Sequence, residues 1–277
     1  MSSILTNNSA MVALATLKDV NRGLNMTQNR VSSGLAIASG KDNAAYFAIS
    51  ETMKGDSGMF KAINQGMTAT KNSVATARLG AETVNDLAQQ MVERIAFAQS
   101  DGIDKADVQT ELDALVANMQ SAIDQATFNG DDLVSAAAVT KTVVTGISRA
   151  GGTFATTTIT FQSVDLQAIQ TALGAIDLTT STDLEADLVT AEGQLQAAIT
   201  ASTSLGVTEN TLDGQMQFLD ALTDTLDSGV SSMVDADMEE EAARLQAYQV
   251  QQQLATQSLS IANQAPQNIP TGTARIR

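Results

Sequence analysis

The chain has 277 residues and no Cys, His or Trp, which excludes a disulfide framework, a thiol metal site and the commonest general base. Its net charge of −16 is unevenly placed: residues 1–100 carry nine Lys/Arg against seven Asp/Glu, whereas 150–243 hold sixteen acids and no base. That balance excludes a nucleic-acid partner, which needs basic patches, and aromatics at 3% exclude a dense aromatic core.

Ala, Leu, Met, Gln and Ser dominate, and both prolines, Pro266 and Pro270, fall at the far end. Nothing before Ala265 therefore breaks a helix, and the composition predicts a mainly helical protein. The first residues, MSSILTNNSAMVALATLKDV, do not read as a conventional secretion signal, because the first positive charge, Lys18, follows the apolar stretch. No run approaches a membrane span. A weak helical stripe, Ala10, Leu14, Leu17, Asn21, Leu24, Gln28, Val31 and Leu35, predicts a terminal helix that buries little area.

The next stretch, Ser33 to Ser50, reads SGLAIASGKDNAAYFAIS and contains a Gly-Lys pair. A phosphate loop needs G-x-x-x-x-G-K-[ST] after a strand. Gly34 and Gly40 enclose one residue too many, Asp42 follows Lys41 where a hydroxyl is required, and no β-branched run precedes. The expectation is a bend between two helices, with both glycines easing the turn and Asp42 or Asn43 capping the second helix.

From Ile49, steps of four and three reach Met53, Asp56, Phe60, Ile63, Met67, Thr70, Val74, Ala77, Ala81, Val84, Ala88, Met91, Ile95 and Ala98, of which only Asp56 and Thr70 are polar. This heptad seam predicts a helix of about 75 Å at about 1.5 Å per residue, packed along its whole length. Gly102 then offers a stop and Asp104 a start for a helix with Val108, Leu112, Leu115 and Met119 on one stripe, ending at Asn129-Gly130. TKTVVTGIS at 140–148 and TFATTTITF at 153–161 flank a Gly-Gly pair and predict a β-hairpin.

A second seam runs from Leu184 through Leu205, Leu212, Met216, Leu219 and Leu226 to Met233. The last segment carries two adjacent stripes, Ala243, Ala247, Val250, Leu254 and Ile261 beside Met238, Leu245, Tyr248, Ala255 and Leu259, a wide face suited to more than one neighbour. Asp237 and Glu240 resemble a capping box, and Glu239, Glu240 and Glu241 read as first-turn charges favoured by the helix dipole, with no convergent partner for catalysis. The acidic half reads as a solvated face, or as one that steers pairing with the more basic N-terminal third.

Arg30-Val-Ser-Ser-Gly-Leu35 followed by Ala38-Ser-Gly-Lys-Asp-Asn-Ala-Ala45 and Ala48-Ile-Ser50 resembles the N-terminal signature of bacterial flagellins. Val234-Asp-Ala-Asp237 is similar to that family's I-x-D-A-D junction, Ala262-Asn-Gln-Ala-Pro-Gln-Asn268 to its ANQ-x-PQN ending, and Thr127-Phe-Asn-Gly130 to its turn after the second rod helix. The resemblance covers residues 1–133 and about 205–269 and leaves out the middle.

It implies a folded-back coiled-coil rod of long antiparallel helices with a small hairpin excursion and both termini at one end. The expected domains are terminal helices at 1–40 with 236–277, a rod at 41–133 with 179–235, and a short variable segment at 134–178. The implied function is a structural subunit of the flagellar filament, extracellular, exported unfolded without a cleavable signal, with its ends folding on assembly. The implied partners are further copies of itself, sister flagellins, an export chaperone, and cap and hook-junction proteins. No cofactor, metal, catalytic residue, nucleic acid or membrane is expected. The Ser/Thr-rich stretches 153–163 and 179–204 read as plain surface, with O-glycans as the sharper reading, and the sequons at Asn7 and Asn25 as chance.

Site expectations follow. Leu14, Leu17, Leu24, Val31, Leu35, Leu245, Val250, Leu254, Leu259 and Ile261 are assembly residues of the terminal helices. Ile49, Met53, Phe60, Ile63, Met67, Val74, Met91, Ile95, Leu212, Met216, Leu219 and Leu226 form the rod seam. Gln90-Met-Val-Glu-Arg-Ile-Ala96 is similar to a family segment, Q-R-V-R-E-L-A, recognised by an animal innate-immune receptor. Met91 and Glu93 replace its arginines, which predicts evasion. The rival reading is the hook–filament junction protein, whose family carries a proline-bearing S-D-D-P-like stretch where Lys41-Asp-Asn-Ala-Ala45 stands here and lacks the PQN ending.

Overall fold

The computed structural model describes residues 7–264; the ending motif from Ala265 to Asn268 and both prolines lie outside the described residues. Elements in chain order are α1 (Asn8–Ser33), α2 (Ala44–Ala98), α3 (Lys105–Gln125), β1 (Thr127–Phe128), β2 (Asp131–Asp132), β3 (Thr140–Ser148), β4 (Ala155–Gln162), α4 (Leu166–Gly174), α5 (Leu184–Val234) and α6 (Met238–Gln264). The protein is mainly α, as composition and period predict. No helix among the described residues is long and apolar enough to cross a membrane.

Local chemistry sets each boundary. Asn7, Asp104, Asp165, Asp183 and Asp237 place side-chain oxygens on first-turn amides and cap their helices. Gly34 closes α1 in the left-handed region (φ 74), its amide donating to the Arg30 carbonyl at 2.8 Å. Asn129 and Gly130, both at positive φ, turn β1 into β2. The predicted hairpin is present: β3 and β4 pair antiparallel, with a bulge between Val144 and Gly146, and Gly151 and Gly152 take positive φ in the turn.

The chain divides into two compact units, and α2 and α5 each pass from one to the other. Residues 57–224 contain the main core. There α2 and α5 run antiparallel, and Val74, Ala77, Ala81, Val84, Ala88, Met91 and Ile95 pack with Leu205 and Leu212 and with Leu112, Met119 and Ile123 of α3, all at most 1% exposed. Lys71–Asp213 (2.5 Å) and Arg78–Glu209 (2.8 Å) tie α2 to α5 beside that seam, and Arg94–Glu111 (3.1 Å) ties α2 to α3. Two of these pairs, Lys71–Asp213 and Arg78–Glu209, join the basic third to the acidic half. α4 lies antiparallel to α3, burying Leu166, Ile169 and Leu173. This helix lies in the segment expected to be variable, 134–178, and is marked in the sequence by the 166/169/173 spacing and the Asp165 cap.

The other unit, 1–56 with 225–277, pairs α1 with α6. Their connectors lie side by side: Leu35 bridges Asp235, the Ala36 amide donates to the Val234 carbonyl at 2.7 Å, and the Ala236 amide to the Gly34 carbonyl at 2.8 Å. Within one chain the seam is covered unevenly from Ile49 onward. Ile49 is 50% exposed and Met53 half-buried. This part of α2 has the end of α5 beside it, with Met53 against Gly229, and lacks the cover that α3 and the hairpin supply from Phe60 on.

Candidate assembly surface

The α1–α6 pair is held by polar registers more than by a core. At one end the Asn7 amide donates to the Ala262 carbonyl (2.8 Å); midway Gln252 donates to Asn21 (2.7 Å). At the other end the Arg30 guanidinium meets Glu241 at 3.0 Å, and Arg244 approaches the same oxygen at 3.6 Å. The helices are thus antiparallel, with the first and last described residues together. Gly23 admits the Tyr248 ring, since a Cβ there would lie 2.6 Å from it.

Little is buried between them. On the two helices only Val20, Thr27, Glu241 and Ala255 are buried. Of the predicted assembly residues, Leu17, Leu24, Val31, Leu35, Leu245 and Leu259 are half-buried. Leu14, Val250, Leu254 and Ile261 are exposed, alongside Met11 and Val12. A groove between the helices is lined by Val12, Val20, Leu254 and Ala255. An antiparallel helix pair with this much apolar side chain in water is marginal alone and gains stability from any neighbour that covers it.

Glu241, which the sequence groups with Glu239 and Glu240 as a first-turn charge, alone turns inward, 5% exposed, with Oε2 lacking a partner. Sequence offered a weak signal: Glu241 lies about one turn before Leu245 on the inner stripe.

In the 34–43 connector, Asn43 caps α2, accepting from the Ala45 and Tyr46 amides (3.1 and 3.2 Å). Asp42 instead closes the loop: its Oδ2 accepts from the Ser39 hydroxyl (3.1 Å) and from the Ser39 and Ala38 amides (3.0 and 3.2 Å). These bonds, the Ser39 hydroxyl first, hold the carboxyl below its ordinary range. Of the two glycines expected to permit the bend, only Gly34 has a backbone that demands glycine; Gly40 does not take positive φ.

Among the seam residues, Phe60, Met67, Val74, Met91, Ile95, Leu212 and Leu219 are buried, while Ile63, Met216 and Leu226 are half-buried. Of the two residues that stand where the similar family segment has arginines, Met91 is wholly buried in the α2 core and Glu93 is exposed. Among the described residues no group of three or more His, Cys, Asp or Glu could hold a metal.

The comparisons agree with this layout. The model of the bacterial flagellin N-terminal helical region matches residues 4–139, and that of the C-terminal helical region matches 188–270. A flagellin of Brucella melitensis is 37% identical over 97% of this chain and 98% of its own length. Flagellin C of Rhizobium meliloti is 32% identical over 97% and 98%, and Flagellin FljK of Caulobacter vibrioides 30% identical over 97% of each chain. The two ends that carry α1 and α6 are the ends the family models match, and this chain belongs to the bacterial flagellin family.

Proposed function

We propose that the chain is a structural subunit of the extracellular flagellar filament and that α1 and α6 form the surface through which copies join, completing their fold as neighbours cover them. The observation that carries the assembly reading is the exposure of Leu14, Val250, Leu254 and Ile261 on a helix pair with almost no interior. A subunit whose two joining patches differ generates an open helical filament. No catalysis is assigned to it: the Glu239–Glu241 cluster has one member spent on Arg30, and the other two stand exposed in a first turn.

The finer partners follow from the same reading. Further copies and sister flagellins cover the α1–α6 face in the filament; an export chaperone covers part of it beforehand; cap and hook-junction proteins meet it at the filament's ends. Export of an unfolded chain without a cleavable signal suits a protein with no cysteine and weakly held ends. The exposed threonines of β4 are candidates for O-glycans. Evasion of the innate receptor rests on Met91 and Glu93 standing where the similar family segment carries arginines. Domains at 1–40 with 236–277, 41–133 with 179–235, and 134–178 remain the proposed division.

The test is seeded polymerisation of purified monomer, followed by electron microscopy and circular dichroism. Filaments forming together with a rise in helicity are expected. Monomers that persist beside seeds, or filaments that form with no change in helicity, contradict respectively the subunit reading and the folding of its ends.

A further inference from the structure

Methionine is the only sulfur in this chain: eleven are present, with no cysteine and no tryptophan to take up an oxidant first. Their burial is sharply divided. Met67, Met91 and Met119, in the core of residues 57–224, are 0% exposed. Met53, Met59, Met216 and Met233 are half-buried. Among the described residues the exposed methionines are Met11, Met26 and Met238, at 62%, 52% and 44%, and all three stand on α1 or α6.

Their places on that pair are telling. Met11 precedes the exposed Val12 and lies about one turn before the exposed Leu14. Met26 lies about one turn before Arg30 on α1, and Met238 about one turn before Glu241 on α6. Because the helices are antiparallel, the two thioethers flank the Arg30–Glu241 contact, one on each side of it. Met26 also shares with Arg30, Leu35 and Ala36 a cleft of about 210 Å³, so a change at its sulfur is felt at the guanidinium.

We propose that Met11, Met26 and Met238 are oxidation sites through which a two-electron oxidant of the peroxide class stops the free subunit from joining a filament. The sulfur takes one oxygen atom from hydrogen peroxide: an S–O bond forms as the O–O bond breaks, sulfur gives up two electrons, and the peroxide leaves as water. A flexible apolar side chain becomes a polar one that accepts hydrogen bonds. On a surface that joins copies by covering apolar groups, each sulfoxide has to be desolvated against neighbours with no donor to meet it. At Met26 the new oxygen competes with Glu241 for the Arg30 guanidinium. The core methionines are out of reach, so oxidation spares the fold of residues 57–224. This rests on the filament reading above: neighbours that cover α1 and α6 also shield the three sulfurs, so a subunit is vulnerable before it joins and protected afterwards.

Purified monomer and sheared filaments are treated with dilute hydrogen peroxide and mapped by peptide mass spectrometry, and circular dichroism follows the treated monomer. In the monomer Met11, Met26 and Met238 are expected to gain oxygen before Met67, Met91 and Met119, with helix content kept; in filaments the same three should react several-fold more slowly. Treated monomer should extend seeds at least tenfold more slowly than untreated, and methionine sulfoxide reductases of both stereospecificities should restore growth. A chain carrying Met11→Leu, Met26→Leu and Met238→Leu is scored against its own untreated growth and should lose less than about twofold on treatment. Met1, which lies outside the described residues, is common to both chains. Core methionines that react as fast as the three, equal loss in variant and wild type, or unchanged growth of monomer carrying the three sulfoxides overturns the inference. If the untreated variant does not grow, the reductase decides, and growth that it fails to restore overturns the inference too. Failure of the untreated wild-type chain to polymerise strikes the filament reading instead.

Discussion

At Gly80, α2 comes so close to α3 that a Cβ would lie 2.4 Å from the Ala126 Cβ. Alanine gains about 1 kcal/mol of helix propensity over glycine, but overpacking a tight contact costs about 1–3 kcal/mol. Packing should win, and Gly80→Ala is expected to lower the thermal midpoint of the monomer. Gly66, on the same helix with nothing within 4 Å of its Cβ position, gives the opposite sign. Gly66→Ala should stabilise by about 0.5–1 kcal/mol, measured by urea unfolding. Glu241 tests a different force. Glu241→Ala leaves Arg30 without its 3.0 Å partner, and a partly exposed pair of this kind is worth about 1–3 kcal/mol, less than a fully buried one. Hydrogen exchange should report faster local opening of α1 and α6 and leave the α2–α3 core unchanged; an effect spread evenly over the chain would contradict this.

The connecting elements respond to acid. Asp42, Asp132 and Asp177 all titrate below the ordinary carboxylate range. In Asp42 and Asp177 the largest cause is a hydroxyl donor, Ser39 and Thr179 respectively. Burial pushes Asp132 up, but the Ser135 hydroxyl, the Val134 and Ser135 amides and Lys141 outweigh it. Since the folded pKa is depressed in each case, the stabilisation is fully present above the unfolded carboxylate value and is lost as pH falls through the folded one. Thermal midpoints measured from pH 7 down to pH 3 should therefore fall, and Asp132→Asn, which has no such proton to take up, should show a shallower fall. The hairpin and α4 illustrate what was legible at this scale. β-Branched residues around Gly151-Gly152 announce β3 and β4, whereas the nine residues of α4, between a strand and a loop, make only a faint period.

For the molecule as a whole, stability is divided. Residues 57–224 hold the continuous core of α2, α3, α4 and α5, whereas the α1–α6 pair buries almost nothing of its own. Limited proteolysis of the monomer should cut α1 and α6 first and leave fragments within 57–224, identified by mass spectrometry; early cuts inside α2 beyond Phe60 would contradict it. Period, composition and the end motifs determined, without coordinates, the long helices, the hairpin and the family. All of these are local signals, repeated every few residues, and local physics reads them directly. Burial is not local. That Ile49 stands in water while Met67 on the same seam does not, that Met91 is hidden and Glu93 exposed, and that one glutamate of three turns inward to Arg30 were decided by which distant helices cover each turn, and only the tertiary structure holds that information.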